Sequence, residues 1–567
     1  MKDATRRDFL KTAAAGALGA PLLGFDRSSM SSHQPNGPGR NQRPNVVLIM
    51  VDDMGFADIG CYGGEIATPN LDRLASDGVR FSQFYNTSRC CPSRASLLTG
   101  LYSHEAGMGL MVHDRTEKPG FKGRLLHDRC VTIAQLMRDA GYGTYMTGKW
   151  HLGPNKGEQP LDWGFDRYYG CLDGAISYFE PGDPAFYPHD DDPRPITLDR
   201  TVVPPDDRFY ATNRFTDYAK LFLDQHLNER GEDPFFLYMA PNAPHFPLQA
   251  LPEDIAKYEG KYLKGWDKLR EERYRQQLAS NVLRSETTEL TRRSYGRYEE
   301  VGPWPNSREP IPAWDSLSAS RQKDFARRMT VYAAMIDNID QNIGRLVNFL
   351  KDKGQFDNTI LLFASDNGGA MVGGVSGFNG FGRHNPEAYG SAHSFINYGI
   401  GWSNASNTPF RLYKTYVHEG GISSPLIAHW PAGIDNAPGS FVRTPTHLID
   451  IMPTLLEVAG ARYPSRRNGH DILEKAGQSL VPLITESSQS FNTNRALYWE
   501  HAGCKAVRDR QWKLVEVTKG EWELYNMAED RCETNNLISE HPERAARMKR
   551  MYRKWAKRSY VTPPMYK

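Results

Sequence analysis

Apolar runs too short to be core helices recur between amphipathic stretches, and they restrict the chain to one class of fold. VVLIMV at 46–51, FFLYMA at 235–240 and TILLFA at 359–364 contain no charged residue and show no alternation of polar and apolar positions. A strand of that kind is covered on both faces, as in a parallel sheet flanked by helices. Residues 144–147 and 425–430 read as further strands. Helical patterns lie between them, over 70–77 closed by Gly78, over 131–140 closed by Gly141, and over 327–351 with Met335, Ile339, Ile343 and Leu346 on one face. Strand–helix–strand repetition implies an α/β fold, a large mixed, mostly parallel sheet with helices on both sides.

From about residue 465 the pattern changes. Short alternating runs at 496–500, 505–508, 512–517 and 521–525 predict antiparallel strands. A closing helix over 542–558 carries Ala545, Met548, Tyr552 and Trp555 as one apolar stripe, and its many cations read as a solvated face. This is a smaller C-terminal α+β subdomain, residues 465–567. The main domain spans 44–464, with a charged, helical insertion at about 261–328.

The N-terminus stands apart. MKDATRRDFLK followed by TAAAGALGAPLLG is a basic segment and a short apolar one, the form of a signal peptide. Arg6-Arg7 with Phe9 and Leu10 suits the twin-arginine export signal. Residues 1–33 are read as this signal and the start of a linker, and 34–43 as the rest of the linker. The mature protein is expected to be periplasmic or secreted after passing the twin-arginine machinery. It should have no membrane span, since no later run reaches the length a span needs. A formal net charge of +2 lacks the basic excess of a nucleic-acid binder.

Chemistry gathers where the strands end. The run at 46–51 is followed by Asp52-Asp53, and that at 359–364 by Ser365-Asp366-Asn367. The strand at 144–147 leads into Lys149 and His151, and that at 235–240 into His245. In open α/β sheets ligands bind at the carboxyl ends of the strands, so these residues should share one crevice. Asp52, Asp53, Asp366 and Asn367 are hard oxygen donors and suit calcium or magnesium rather than zinc.

The segment from Cys90 to Gly100, CCPSRASLLTG, matches the signature Cys-x-Pro-Ser-Arg-x-x-x-Leu-Thr-Gly at each of its seven fixed positions. On this run, and on PNVVLIMVDDMGFADIGCYGG, GYGTYMTGKWHLG, APHFPLQ, FASDNGG and NTPFRLYKTYVHEGG, the chain resembles the formylglycine-dependent sulfatases, in particular the bacterial arylsulfatase branch. That resemblance implies an alkaline phosphatase-like fold and hydrolysis of sulfate monoesters, either aryl sulfates or sulfated glycans. It implies that Cys90 is converted to formylglycine by a formylglycine-generating enzyme. Asp52, Asp53, Asp366 and Asn367 would hold a single calcium-type cation, magnesium being the alternative, with the group at 90 completing its shell. Arg94 would hold that group, and Lys149, His151, His245 and Lys414 would line the pocket. A hydrated aldehyde has two hydroxyls: one attacks sulfur, and deprotonation of the other expels sulfate. Asp366 suits acceptance of the first proton, His245 and Lys414 protonation of the departing alcohol, and His151 the final deprotonation.

Two other readings compete. Phosphodiesterases and phosphonate monoester hydrolases of the same superfamily usually have Asp-His where this chain has Asp366-Asn367. A non-catalytic sulfoglycan-binding protein would not need every matched position intact. The stretch 373–406, with His384, His393, Tyr398 and Trp402, is read as covering the pocket and selecting the substrate, with His384, His393 and Trp402 as substrate-binding residues. Removing Cys90 from seven cysteines leaves six, and Cys504 with Cys532 is the pair expected to form a disulfide.

Overall fold

The computed structural model describes residues 43–183, 194–291, 310–380, 385–434, 438–485, 490–517 and 520–561. The signal and linker readings therefore lie outside the described residues. Eleven strands form the main sheet. They are β1 (Asn45–Val51), β2 (Val79–Tyr85), β3 (Gly143–Lys149), β4 (Arg167–Cys171), β5 (Ile196–Leu198), β6 (Thr201–Val203), β7 (Phe235–Ala240), β8 (Thr359–Ser365), β9 (Ser423–His429), β10 (Ser440–Val442) and β11 (Thr446–His447). Their order is β10-β2-β9-β8-β1-β7-β3-β4-β5-β6, with β11 also on β2.

The central block β8-β1-β7-β3-β4 is parallel. Every residue of β1, β3, β7, β8 and β9 is buried, as the unbroken apolar runs require. Alternate side chains of β1 divide between two cores: Val47, Ile49 and Val51 enter one, and Val46, Leu48 and Met50 the other. The first core is roofed by the helices Ala211–Arg230 and Ala319–Asp352, and the second by Cys90–Thr99, Ile133–Asp139 and Ile451–Ala459. The helix Ile133–Asp139 starts where a capping box allows: Thr132 accepts from the backbone of Gln135, and the Gln135 side chain returns the bond to Thr132.

β9 runs antiparallel to both β8 and β2. Its first residue therefore lies at the edge where β8, β1, β7 and β3 end. Gly148, at φ 98, allows β3 to reach that edge: a Cβ there would sit 2.1 Å from the carbonyl oxygen of Ala240 on β7.

The C-terminal strands Ala496–His501, Cys504–Asp509, Trp512–Glu516 and Trp522–Asn526 form an antiparallel sheet in sequence order. The helix Pro542–Arg558 lays Ala545, Met548, Tyr552 and Trp555 against it, with Val507, Leu514 and Leu524 beneath. Cys504 and Cys532 are both free thiols, so the expected disulfide is not formed. Each is buried among core side chains, which hold their segments in place without a covalent link.

Between β7 and β8 the helix Gly265–Ala279 buries Trp266, Leu269, Arg273 and Gln277. Arg273 is 1% exposed and binds Asp58 at 2.8 Å and Glu65 at 2.7 Å. Asp58 also accepts from Tyr332 at 2.8 Å and from the amide of Gly55 at 2.8 Å. The helix thereby pins the loop that follows β1. Arg273→Met leaves two carboxylates without their cation. It should lower the unfolding free energy by about 3–5 kcal/mol, read as a fall in the urea midpoint.

Candidate active site

Because β8, β1, β7 and β3 are neighbours and parallel, their last residues form one row. Val51 pairs with Ser365, so Asp52 and Asp366 follow side by side. Lys149 closes β3, and its ammonium meets Asp52 at 2.5 Å. β2 ends at the same edge, and Cys90 opens the next helix. The Ser88 carbonyl accepts from Thr415 at 2.8 Å, which ties the start of that helix to the segment carrying Lys414.

The row is almost entirely closed to solvent. Asp52, Asp53, Arg94, Lys149, Asp366, Asn367 and Lys414 are each no more than 2% exposed. Arg94 donates to Asp366 at 3.0 Å and lies 3.8 Å from Asp52. It is steadied by the Lys149 carbonyl at 3.3 Å and the Tyr238 hydroxyl at 3.4 Å. Tyr238, on β7, is a site residue that sequence reading missed, because it lies inside an apolar run. Lys414 pairs with Asp53, which also accepts from Asn367 at 2.7 Å and faces the His245 ring at 3.5 Å.

Three oxygens in this cluster accept no hydrogen bond: Asp52 Oδ1, Asp53 Oδ2 and Asn367 Oδ1. A buried acceptor left unpaired is costly and calls for a partner. Two carboxylate oxygens and one amide oxygen from two strand ends are hard donors of the kind a calcium-type cation takes. Asp52, Asp53 and His245 also place ligand atoms within 4.8 Å of one another. Burial and the charge of Asp52 hold the Asp366 carboxyl well above the ordinary range, the crowding a cation would relieve. Burial also raises Asp52, but Lys149, His245, Arg94 and Lys414 overcome it and leave that carboxyl below its usual value.

Cys90 is 1% exposed, and its sulfur lies within 4.8 Å of the Cys91 sulfur and a His151 ring nitrogen. A hydrogen bond from Cys91 lowers the Cys90 thiol well below its usual value against the effect of burial, with Lys149, His151 and Lys414 adding to the fall. Burial pushes His151 down to about 3, so its ring is neutral, and its Nδ1 has no hydrogen-bond partner. Burial likewise lowers His245. Asp53 (φ 66), His151 (φ 56), Leu412 (φ 62) and Thr415 (φ 86) all hold the left-handed conformation that side chains avoid. Such strain persists only where surrounding contacts enforce it, and here it gathers around the cleft.

The loop bearing Lys414 is gripped from behind by the C-terminal sheet. Lys513, fully buried, sits 2.9 Å from Glu419 and 2.8 Å from Glu533. Glu533 also accepts from the amide of Glu419 at 2.8 Å, and His418 meets Glu523 at 2.8 Å. Arg411 donates to the Tyr525 hydroxyl at 2.9 Å and to the Glu533 carbonyl at 2.7 Å. Both flanks of Lys414 are thus tied to one sheet.

The residues of the covering loop fare differently. His384 lies outside the described residues. His393 is exposed. Beside it, Phe378 and Phe395 pack with Phe246, whose ring stacks on His245 at 4.6 Å, so the loop does reach the cleft wall. Trp402 does not bind substrate from this position: it is fully buried, donates to the Phe325 carbonyl at 2.8 Å and packs among Tyr262, Trp266 and Trp314. A helical Gly399–Ser406 turned its indole into the core, which residue type alone did not reveal.

The sulfatase family profile matches residues 44–461, and a profile for the C-terminal part of N-sulphoglucosamine sulphohydrolase matches 410–559. An uncharacterized sulfatase of Schizosaccharomyces pombe is 34% identical over 540 residues, covering 90% of this chain and 92% of that one. The arylsulfatase of Klebsiella aerogenes is 36% identical, covering 81% and 95%. Among solved structures, that of Ps i-CgsB in complex with k-i-k-neocarrahexaose superposes with a TM-score of 0.65 at 26% identity, covering 93% of this chain and 95% of that one.

If Trp402 is a core residue, Trp402→Ala should cost about 3–5 kcal/mol of stability. The KM of the enzyme that remains folded should be unchanged. A raised KM with unchanged unfolding would return Trp402 to the cleft.

Proposed function

The chain belongs to the sulfatase family and is a sulfuric ester hydrolase, and from that premise we propose that it cleaves sulfate monoesters of glycans or aryl alcohols with a formylglycine at position 90 beside one calcium-type cation. The observation that carries this reading is the convergence of Asp52, Asp53 and Asn367, each with an unpaired oxygen, beside the signature residue Cys90. A cation held by Asp52, Asp53, Asp366 and Asn367 would supply fixed positive charge facing the sulfuryl oxygens. A hydrated aldehyde at 90 would supply the attacking hydroxyl and the second one that lets sulfate leave.

The chain's own residues account for the rest. Arg94 and Lys149 sit in a closed, water-poor row, where preorganised cations stabilise the charge that spreads over the sulfuryl oxygens in the transition state. Lys149 is held protonated: burial acts against its charge, but Asp52, 2.5 Å away, raises its pKa. Asp366, at the end of β8 beside Asp52, is the acceptor assigned to the first proton. Lys414 carries protons on the side of Asp53 and His245, where the departing alkoxide needs one. His151, neutral and unpartnered at Nδ1 beside position 90, is the base for the last deprotonation. The glycan substrate class draws support from the neocarrahexaose bound in the similar structure. The Arg6-Arg7 segment supports export to the periplasm or beyond. No helix among the described residues is long and apolar enough to cross a membrane.

Calcium should raise the unfolding temperature, by the equivalent of about 2.7 kcal/mol at a hundred times its dissociation constant. A chelator should reverse this, and Asp366→Ala should remove the increment as well as the turnover. Melting and turnover that ignore both chelator and calcium would sink the cation assignment.

Lys149→Ala and Lys414→Ala should each lower kcat by about a hundredfold on an unactivated sugar sulfate. Cys91→Ser should keep most activity and Cys90→Ser should lose it. Peptide mass spectrometry should find the aldehyde at 90 and a thiol at 91. An active enzyme with both thiols intact would overturn the mechanism.

A further inference from the structure

The C-terminal sheet and its helix enclose a second concavity, built from residues that take no part in the cleft. Its volume is about 400 Å³, within the range of sites that take small ligands. Arg510, Arg544 and Arg547 line it, with Trp512, Gln511 and Asp509. Three guanidinium groups face one carboxylate, since Arg547 pairs with Asp509 and the other two have no acidic partner in the wall.

Each cation is placed rather than merely present. The Arg544 guanidinium lies 4.3 Å from the centre of the Trp512 ring, and its Nε is buried with no hydrogen-bond partner. Trp512 is 8% exposed and is held on another side by His541 at 4.9 Å. Arg510 occupies the turn between the strands Cys504–Asp509 and Trp512–Glu516 at φ 56. Asn or Gly is favoured at such a turn, so an arginine there is kept against the backbone's preference. From this end the helix Pro542–Arg558 continues with Arg550, Arg553, Lys554, Lys557 and Arg558 exposed, and Glu543 is its single acidic residue. Basic residues recur turn after turn from Arg544 to Arg558, over about 21 Å.

We propose that this pocket and the basic helix face behind it form a binding site for a sulfated polysaccharide chain, separate from the cleft. A sulfate group seats between Arg510 and Arg544, and the chain's further sulfates run along the helix. Guanidinium forks match the geometry of a sulfate's oxygens, and several spaced anions are what a row of cations engages best. The site would keep the polymer on the enzyme while the cleft removes individual sulfates. This rests on the reading of the chain as a hydrolase of sulfated glycans.

The test is affinity electrophoresis of the full-length protein in gels containing dextran sulfate, uncharged dextran or polygalacturonate. Turnover of 4-nitrophenyl sulfate is followed in parallel. The wild type should be retarded by dextran sulfate, far less by polygalacturonate and not by dextran, and salt should release it. Arg510→Ser with Arg544→Gln should weaken the retardation about tenfold or more, with 4-nitrophenyl sulfate turnover unchanged. Arg510→Glu, on an exposed turn, should do the same without touching Trp512. On a sulfated polymer the KM of these variants should rise while kcat holds. Equal retardation by polygalacturonate, or variants that bind like the wild type, would overturn the proposal. A wild type that binds dextran sulfate through these arginines yet hydrolyses no sulfate ester would strike the hydrolase reading and leave the pocket standing.

Discussion

Three carboxylates and three cations share an interior with almost no water: Asp52, Asp53 and Asp366 against Lys149, Lys414 and Arg94. Charges at such depth are tolerated only if each faces an opposite partner, and removal of one partner leaves a cost of several kcal/mol. The six come from five segments: Asp52 and Asp53 from the end of β1, Lys149 and Asp366 from the ends of β3 and β8, Arg94 from the helix after β2 and Lys414 from the loop before β9. Every strand register in the centre of the sheet is therefore tied to the same electrostatic balance. A divalent cation among the acceptors that lack hydrogen bonds would turn that neutral cluster into one with a surplus of two positive charges. The natural answer to such a surplus is an anionic ester, whose own charge becomes more evenly spread as its bond to the alcohol breaks.

The same balance explains why the C-terminal sheet is packed so closely behind the cleft. Burial alone would raise the Glu419 carboxyl, but Lys513, Arg531 and Arg508 outweigh it and bring it to about 2. Two of these cations come from the strands Cys504–Asp509 and Trp512–Glu516, and Arg531 follows the last strand of that sheet. A second buried ionic cluster thus sets the position of the chain just after Lys414. The smaller sheet acts as part of the cleft's wall, several residues removed from the chemistry.

Much of this was legible in the sequence because one rule applied four times. A buried apolar run followed by polar residues reads as a strand end facing a crevice, and Asp52, Lys149, His245 and Asp366 were all found that way. Lys414 obeys a different geometry: it precedes its strand, and only the antiparallel setting of β9 brings it to the shared edge. Here the family resemblance supplied what the strand-end rule could not. Tyr238 was hidden inside an apolar run, and the Lys513 cluster unites positions that have no local pattern. Trp402 was misread because an aromatic in a glycine-rich stretch looks the same whether it points outward or, as here, inward against three other aromatic rings. Cysteine counting failed for a related reason. Cys504 and Cys532 are near in sequence, but each is used as a small apolar side chain.

The register of the central sheet also sets an order in time. β1 is made early, yet its amide at Asp53 donates to Asp366, 313 residues later, and its carboxylate meets Lys414, 361 residues later. Until those residues have left the ribosome, nothing can close over position 90. At about 5–20 residues per second that separation amounts to tens of seconds of synthesis. Once β8 and β9 have zipped onto β1 and β2, Cys90 is closed in and 1% exposed. The long sequence separation of the cleft's two halves thus makes closure over position 90 one of the last events the topology permits.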